Sequence, residues 1–328
     1  MELPIFVRAA LDALIDDAPY TTAQLRLAVE QMTTSYKEAS GRGNRLVTDR
    51  CAVLAYAATR MPATFGAVSS AIDAALQTLD SADAASISTV LDIGAGTGAA
   101  TLAACACLPG EVSVTAIERE KEMIAVGQKL TADCNVTWEQ ADAAAYVRRL
   151  AEMGVSYDMV IASYMTNELT DEVRRALFAD LWKITGKLLV IIEPGTKVGS
   201  AILRNARRPF SELGAAVCAP CPSITECPLS EDDWCHFTCR VARSKLHKAL
   251  KGGDVPYEDE KFSYLALTRL PFVPAENRVL RHPQKEAGRI TLTLCSPDGW
   301  NIKTVTKRDK AAFSAARKAD AGDSLSDI

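Results

Sequence analysis

Apolar and polar positions alternate differently in three stretches of the chain. From Leu3 to Leu79 the apolar residues recur at helical spacing. A first helix runs from Leu3 to Ile15, and Pro19 interrupts the pattern. Thr21 or Thr22 can cap a second helix through Leu25, Leu27, Val29 and Met32. Gly41-Arg42-Gly43-Asn44-Arg45 reads as a loop. Thr48 or Asp49 opens a third helix through Val53, Leu54, Tyr56 and Ala57, ended by Pro62, and a fourth covers Ala67 to Leu79. From 88 to 195 short apolar runs alternate with helical ones, the pattern of a parallel sheet with right-handed crossovers. Its strands are predicted at Ser88–Ile93, Val112–Ile117, Val136–Gln140, Met159–Ser163 and Lys187–Ile192. After 204 the pattern predicts a basic helix over Arg240–Leu250, an acidic loop at Glu258-Asp259-Glu260, and strands at Phe262–Arg269, Asn277–His282 and Arg289–Cys295. Trp300–Thr306 returns as the second strand of a hairpin. From Ala311 a polar helix fades into disorder.

The turn after the first strand sets the chemistry. Val90-Leu91-Asp92-Ile93 leads into Gly94, Gly96 and Gly98 on alternate positions, followed by a run of small residues from Ala99. Glycine is needed where a strand turns sharply into a helix and a ligand must approach the backbone. Glu118, at the end of the second strand, stands 20 residues after Gly98, where a carboxylate can accept ribose hydroxyls. Asp142 follows the third strand, in position to read an adenine edge. A P-loop is excluded, because no Lys-Ser/Thr follows the glycines. A nicotinamide enzyme is disfavoured, because His236, His247 and His282 all lie outside this half. The acid–glycine–acid pattern fits S-adenosylmethionine (SAM), with Asp92, Gly94, Gly96, Gly98, Glu118 and Asp142 as the expected cofactor residues.

Charge and cysteine content change this picture. Residues 1–203 carry 17 Lys/Arg against 25 Asp/Glu, whereas residues 204–318 carry 20 against 13, so a net charge of −4 conceals an acidic first part and a basic second part. A basic part suits a polyanionic partner. Arg204, Arg207 and Arg208 follow Ile202 and Leu203 on a predicted helix; Lys303, Lys307 and Arg308 gather on the last hairpin as candidate RNA contacts. No apolar run reaches the roughly 20 residues of a membrane span, and the start has no secretory signal and no clear transit peptide. Five cysteines fall within the 22 residues from Cys218 to Cys239, and Cys221 and Cys227 each precede a proline. Thiolates at such spacing can converge on a metal centre, either zinc, with four cysteines or three and His236, or an iron–sulfur cluster. Cys51, Cys105, Cys107 and Cys134 read as reduced core cysteines, since disulfides are rare inside cells.

With these residues the chain resembles the methyltransferase-like proteins of the mitochondrial small ribosomal subunit and their bacterial relatives (the Rsm-twenty-two type). The similarity runs from Leu3 to Thr306, through Met61-Pro62-Ala63-Thr64-Phe65, Val90–Thr101, Ser163–Leu169 and Ile192-Glu193-Pro194-Gly195-Thr196. Its most specific parts are Cys221-Pro222, Cys227-Pro228-Leu229, Asp233–Phe237 and Leu294–Gly299. The resemblance implies an α/β fold: a doubly wound, Rossmann-like SAM-dependent methyltransferase domain (81–210) with an N-terminal helical cap (1–80). A Cys-rich, β-containing metal-cluster module (211–310) and a flexible tail (311–328) would follow. It also implies a [4Fe–4S] site with Cys221, Cys227, Cys235 and Cys295 as ligands, Cys218 and Cys239 being neighbours. Ser223 stands where relatives often have histidine. The implied partner is the small ribosomal subunit through its rRNA, in the mitochondrial matrix of a eukaryote or the cytoplasm of a bacterium, with no membrane and a monomer expected. Neither an Asn/Asp-Pro-Pro-aromatic signature nor a carbon-5 cysteine loop is present, so the target atom is open. Asn167 and Glu168 are the candidates to orient a substrate. The alternatives are an assembly factor that uses the SAM domain as a scaffold, and a small-molecule methyltransferase.

Overall fold

A computed structural model describes all residues except 40–46, 48, 223–226, 231 and 327, and of residues 35–39 the backbone alone. The loop expected at Gly41–Arg45, the cap expected at Thr48, and Ser223 therefore lie outside the described residues. Five helices come first: α1 (Ile5–Asp16), α2 (Thr22–Ala39), α3 (Arg50–Thr59), α4 (Met61–Leu76) and α5 (Ser81–Ala85). Asp49 caps α3 by accepting from the Ala52 amide at 3.0 Å. Pro62 does not merely end α3. It sits in the first turn of α4, where a missing N–H costs nothing, so the fourth helix starts at Met61 instead of Ala67.

The alternating stretch folds as expected, with β1 (Thr89–Ile93), α6 (Ala99–Cys107), β2 (Ser113–Glu118), α7 (Lys121–Leu130), β3 (Val136–Gln140), α8 (Ala143–Met153), β4 (Tyr157–Ser163), α9 (Asp171–Ile184), β5 (Thr185–Pro194) and α10 (Lys197–Glu212). These five strands are parallel, in the order β3-β2-β1-β4-β5. β5 is buried on both faces. Leu188, Val190 and Ile192 pack toward the N-terminal helices, and Leu189 and Ile191 toward α9 and α10. Residues after 215 complete this sheet: β6 (Ala216–Ala219), β7 (Phe237–Ala242), α11 (Lys245–Lys251) and β8 (Tyr257–Thr268). β8 runs antiparallel between β5 and β6, and its first half pairs with β7.

Two expectations fail here for one reason. The basic helix expected from Arg240 begins only at Lys245, and Glu258-Asp259-Glu260 is strand instead of loop. Phe237, Cys239 and Val241 are buried on alternate positions, and that period of two outweighs the helical reading of the charges. A second sheet comprises β9 (Asn277–Val279), β10 (Gln284–Glu286), β11 (Arg289–Ser296), β12 (Gly299–Thr306) and β13 (Ser324–Leu325), covered by α12 (Lys310–Lys318). Ile290, Leu292, Leu294 and Val305 face Ala312 and Ala316 of that helix. Near the end of the chain, Ser324 and Leu325 pair with Arg278 and Asn277. Among the described residues no helix is long and apolar enough to cross a membrane.

Candidate functional site

The strand order reverses between β1 and β4, and at their carboxyl ends a cleft of about 2410 Å³ opens, where doubly wound sheets bind ligands. Gly94, Gly96 and Gly98 all adopt positive φ, at 69°, 57° and 87°, which lets β1 turn directly into α6. Their surroundings divide the labour. A Cβ on Gly98 would stand 2.7 Å from Thr131 Cγ2 and 3.4 Å from Trp138, so this glycine serves packing against the end of α7. A Cβ on Gly94 would stand 3.2 Å from Met165 Cβ. At Gly96 the nearest atom, the Tyr56 hydroxyl, is 3.8 Å away, and here the turn faces open cleft.

Glu118 is held beside that opening. One carboxylate oxygen accepts from the Gly96 amide at 2.9 Å, the other from the Arg119 and Glu120 amides at 2.8 and 2.9 Å. Asp142 also lines the cleft and caps α8 by accepting from the Ala145 amide. Asp92 lies beneath the turn, outside the cleft wall. It is fully buried, one oxygen accepts the Thr101 hydroxyl at 2.7 Å, and the other has no hydrogen-bond partner. Burial raises its pKa to about 6 against the pull of that hydrogen bond.

The loop after β4 carries Asn167 and Glu168 on a short 3-10 turn, both at the cleft wall. Two groups pin it. Buried Glu193, at the end of β5, accepts from the Thr166 amide and hydroxyl at 2.9 and 2.5 Å. Arg174 of α9 donates to the Thr166 and Leu169 carbonyls. Desolvation raises Glu193 to about 7 and also raises Glu168, whose burial outweighs the nearby Arg119 charge. Tyr164 holds φ at 55°, the non-glycine residue with left-handed backbone among the described residues, and donates its hydroxyl to Glu260 at 3.0 Å. Arg60 meets the same carboxylate at 3.4 Å. Tyr164 and Met165 fall within the Ser163–Leu169 stretch that the sequence marks, without a role of their own; Tyr56, Arg60 and Glu260 have no site role in the sequence reading. The one local signal is Tyr164, next to the end of a strand pointing at the glycine turn.

Cys221, Cys227, Cys235 and Cys295 border one small cavity of about 20 Å³, closed by Pro220, Pro222, Leu229 and Leu280. Cys218 and Cys239 are buried elsewhere, in β6 and β7, and His236 packs on Trp234 outside the cavity. Burial raises all of the Cys221, Cys235 and Cys295 thiols, Cys295 to about 12, and at Cys235 the other three sulfurs add to it. Among the described residues no three His, Cys, Asp or Glu side chains are grouped so as to hold a metal ion. The donor set fits a thiolate-bound centre; the present spacing is not that of an ion site. Lys303, Lys307 and Arg308 are all exposed on β12 and the turn after it, together but on the second sheet.

Human mitochondrial ribosome assembly protein METTL17 is 26% identical over 290 residues, covering 83% of this chain and 62% of that protein. The Rsm22-cox11 tandem protein 2 of Schizosaccharomyces pombe, also mitochondrial, is 22% identical over 349 residues, covering 90% and 46%. The chain thus spans about half to three fifths of the length of these relatives. Among solved structures, the magnesium protoporphyrin IX methyltransferase of Synechocystis PCC 6803 with bound SAM aligns over 73% of this chain and 97% of its own, at 14% identity and a TM-score of 0.39. The family model described as mitochondrial small ribosomal subunit Rsm22 matches residues 50–326. The chain belongs to the Rsm22 family.

Proposed function

We propose that this protein binds SAM at the Gly94–Gly98 turn and acts on the small ribosomal subunit through rRNA. The observation that carries the first half is the Gly96 backbone, open to the cleft and hydrogen-bonded to Glu118. Gly94 and Gly96 would lie against the ligand, Glu118 would accept its ribose hydroxyls and Asp142 would read its adenine. Bound SAM would supply an electrophilic methyl group. Asn167 and Glu168, fixed by Glu193 and Arg174, would orient the acceptor and keep water out, and positioning of this kind supplies much of the rate in a group transfer. Labelled SAM incubated with small subunits tests this: wild type transfers label to rRNA and Glu118→Ala does not. Binding of SAM without any transfer would end the enzymatic reading.

One contact favours a second reading, a SAM-fold scaffold for subunit assembly. Met165 packs over Gly94, on ground a ligand at the turn would need. Met165→Ala should then tighten SAM binding in calorimetry several-fold, whereas an unchanged Kd removes the obstruction. For the cysteine pocket we propose a [4Fe–4S] cluster on Cys221, Cys227, Cys235 and Cys295, zinc being the alternative. A single zinc ion draws each sulfur to about 2.3 Å, whereas a cuboidal cluster holds its ligands farther apart; the cavity must widen to admit it. Anaerobically purified protein should be brown and contain four irons, and Cys235→Ser should be colourless. Stoichiometric zinc in a colourless wild type excludes the cluster. The mitochondrial relatives support a matrix location if the source is eukaryotic.

A further inference from the structure

The cleft does not stop at the glycine turn. It continues past the Thr166–Glu168 turn into a groove between α9 and α10 and reaches Cys227. The lining of this outer part includes Arg174, Arg175, Arg204, Arg207 and Arg208, with Asp171 as its carboxylate. The sequence explains the arrangement. On α10, Ile202, Leu203, Ala206 and Phe210 are buried against the sheet, so Arg204 and Arg208, four residues and about 6 Å of helix rise apart, share the opposite edge.

Arg174 is paired with Asp171, and the charge open to a ligand lies on Arg175, Arg204 and Arg208. Arg204 donates to the Ser230 and Asp233 carbonyls, which fix its guanidinium without cancelling its charge. Among the described residues Arg208 pairs only with Glu212, and both side chains are largely exposed, so an incoming anion displaces that contact at little cost. Arg175 is exposed, with no carboxylate at ion-pair distance among the described residues. Phe178 and Phe210 are packed away below, and Val198 stands exposed on the wall. Cations spaced along a track, with little aromatic surface to stack a particular base, suit a site that reads the phosphate backbone; a duplex keeps its bases stacked, so it is an unpaired strand that can pass a nucleotide into the cleft.

We propose that the α9–α10 groove is a phosphate track for single-stranded RNA, delivering a nucleotide to the glycine-turn end of the cleft. It rests on the reading of RNA as the partner, and it places contacts on α9 and α10, apart from the second-sheet residues Lys303, Lys307 and Arg308. The test uses the full chain and a fluorescein-labelled single-stranded RNA oligonucleotide, with affinity measured across salt concentrations. Each lost phosphate contact lowers the salt slope by about 0.7 on a single strand. The double variant Arg175→Glu/Arg208→Glu should therefore lose about 1.4 of slope and bind at least ten-fold more weakly at low salt. Its SAM titration and melting curve should match wild type. The triple reversal Lys303→Glu/Lys307→Glu/Arg308→Glu serves as the second arm. If the groove variant keeps wild-type slope and affinity while the hairpin variant loses both, RNA binds but the track is wrong. If wild type fails to bind RNA at all, the partner reading fails and takes the track with it. Equal groove-dependent binding of heparin, or tighter binding of a duplex of the same sequence, overturns the single-strand assignment.

Discussion

Two enclosed carboxyl groups beneath the cleft make its stability depend on pH. Burial raises Asp92 from 3.8 to about 6 and Glu193 from 4.5 to about 7. Both bind a proton more tightly folded than unfolded, so their contribution is complete below about pH 4 and fades as pH rises through 6 and 7. For Asp92 the loss is on the order of 3 kcal/mol. Urea denaturation should show Asp92→Asn flattening the decline between pH 4 and 6, and Glu193→Gln flattening the part that extends to pH 7. The glycines separate by role at the same scale. Gly98→Ala, strained at positive φ and directed at Thr131, should lower stability by about 1–3 kcal/mol. Gly96→Ala meets open space, so it should cost only about 1–2 kcal/mol for its φ and show its main effect as lost SAM affinity in calorimetry.

At the scale of elements, the network of Tyr164, Glu260 and Arg60 ties the loop after β4 to β8 and to the junction of α3 and α4. Tyr164→Phe removes one hydrogen bond to a carboxylate and should cost about 1.5–3 kcal/mol in thermal or urea unfolding. This network was invisible in sequence because Arg60 and Glu260 lie 200 positions apart and Glu260 sits in a run of acids that reads as solvated loop. The five parallel strands from Thr89 to Pro194 were legible, since β1, β2, β4 and β5 are short apolar runs and each of the five alternates with a crossover helix, although β3 itself is half polar. β6 was not, because four residues carry too little period to register. β7 was hidden by Arg240 and Arg243, whose charge suggested the basic helix that starts later, at Lys245. Of the site, the glycine turn and Glu118 could be read because their spacing is local. Met165 over Gly94 could not, because it depends on how two strand ends meet.

For the whole molecule, the junction between first and second parts lies inside the sheet. The late strand β8 covers β5 along seven consecutive registers, from Leu188 with Thr268 to Pro194 with Phe262. Until residue 268 has left the ribosome, β5 of the nascent chain has no β8 to take up the N–H and C=O groups along its outer edge. Synthesis from the N-terminus therefore yields a half-sheet that cannot seal itself, a species prone to pair with other chains. A fragment ending at residue 215 should sediment as aggregate, and one ending at 270 should remain soluble to a greater extent. In the cell, the turn at Gly94 is synthesised early, but the sheet that carries it gains its β8 neighbour only when residues 257–268 arrive.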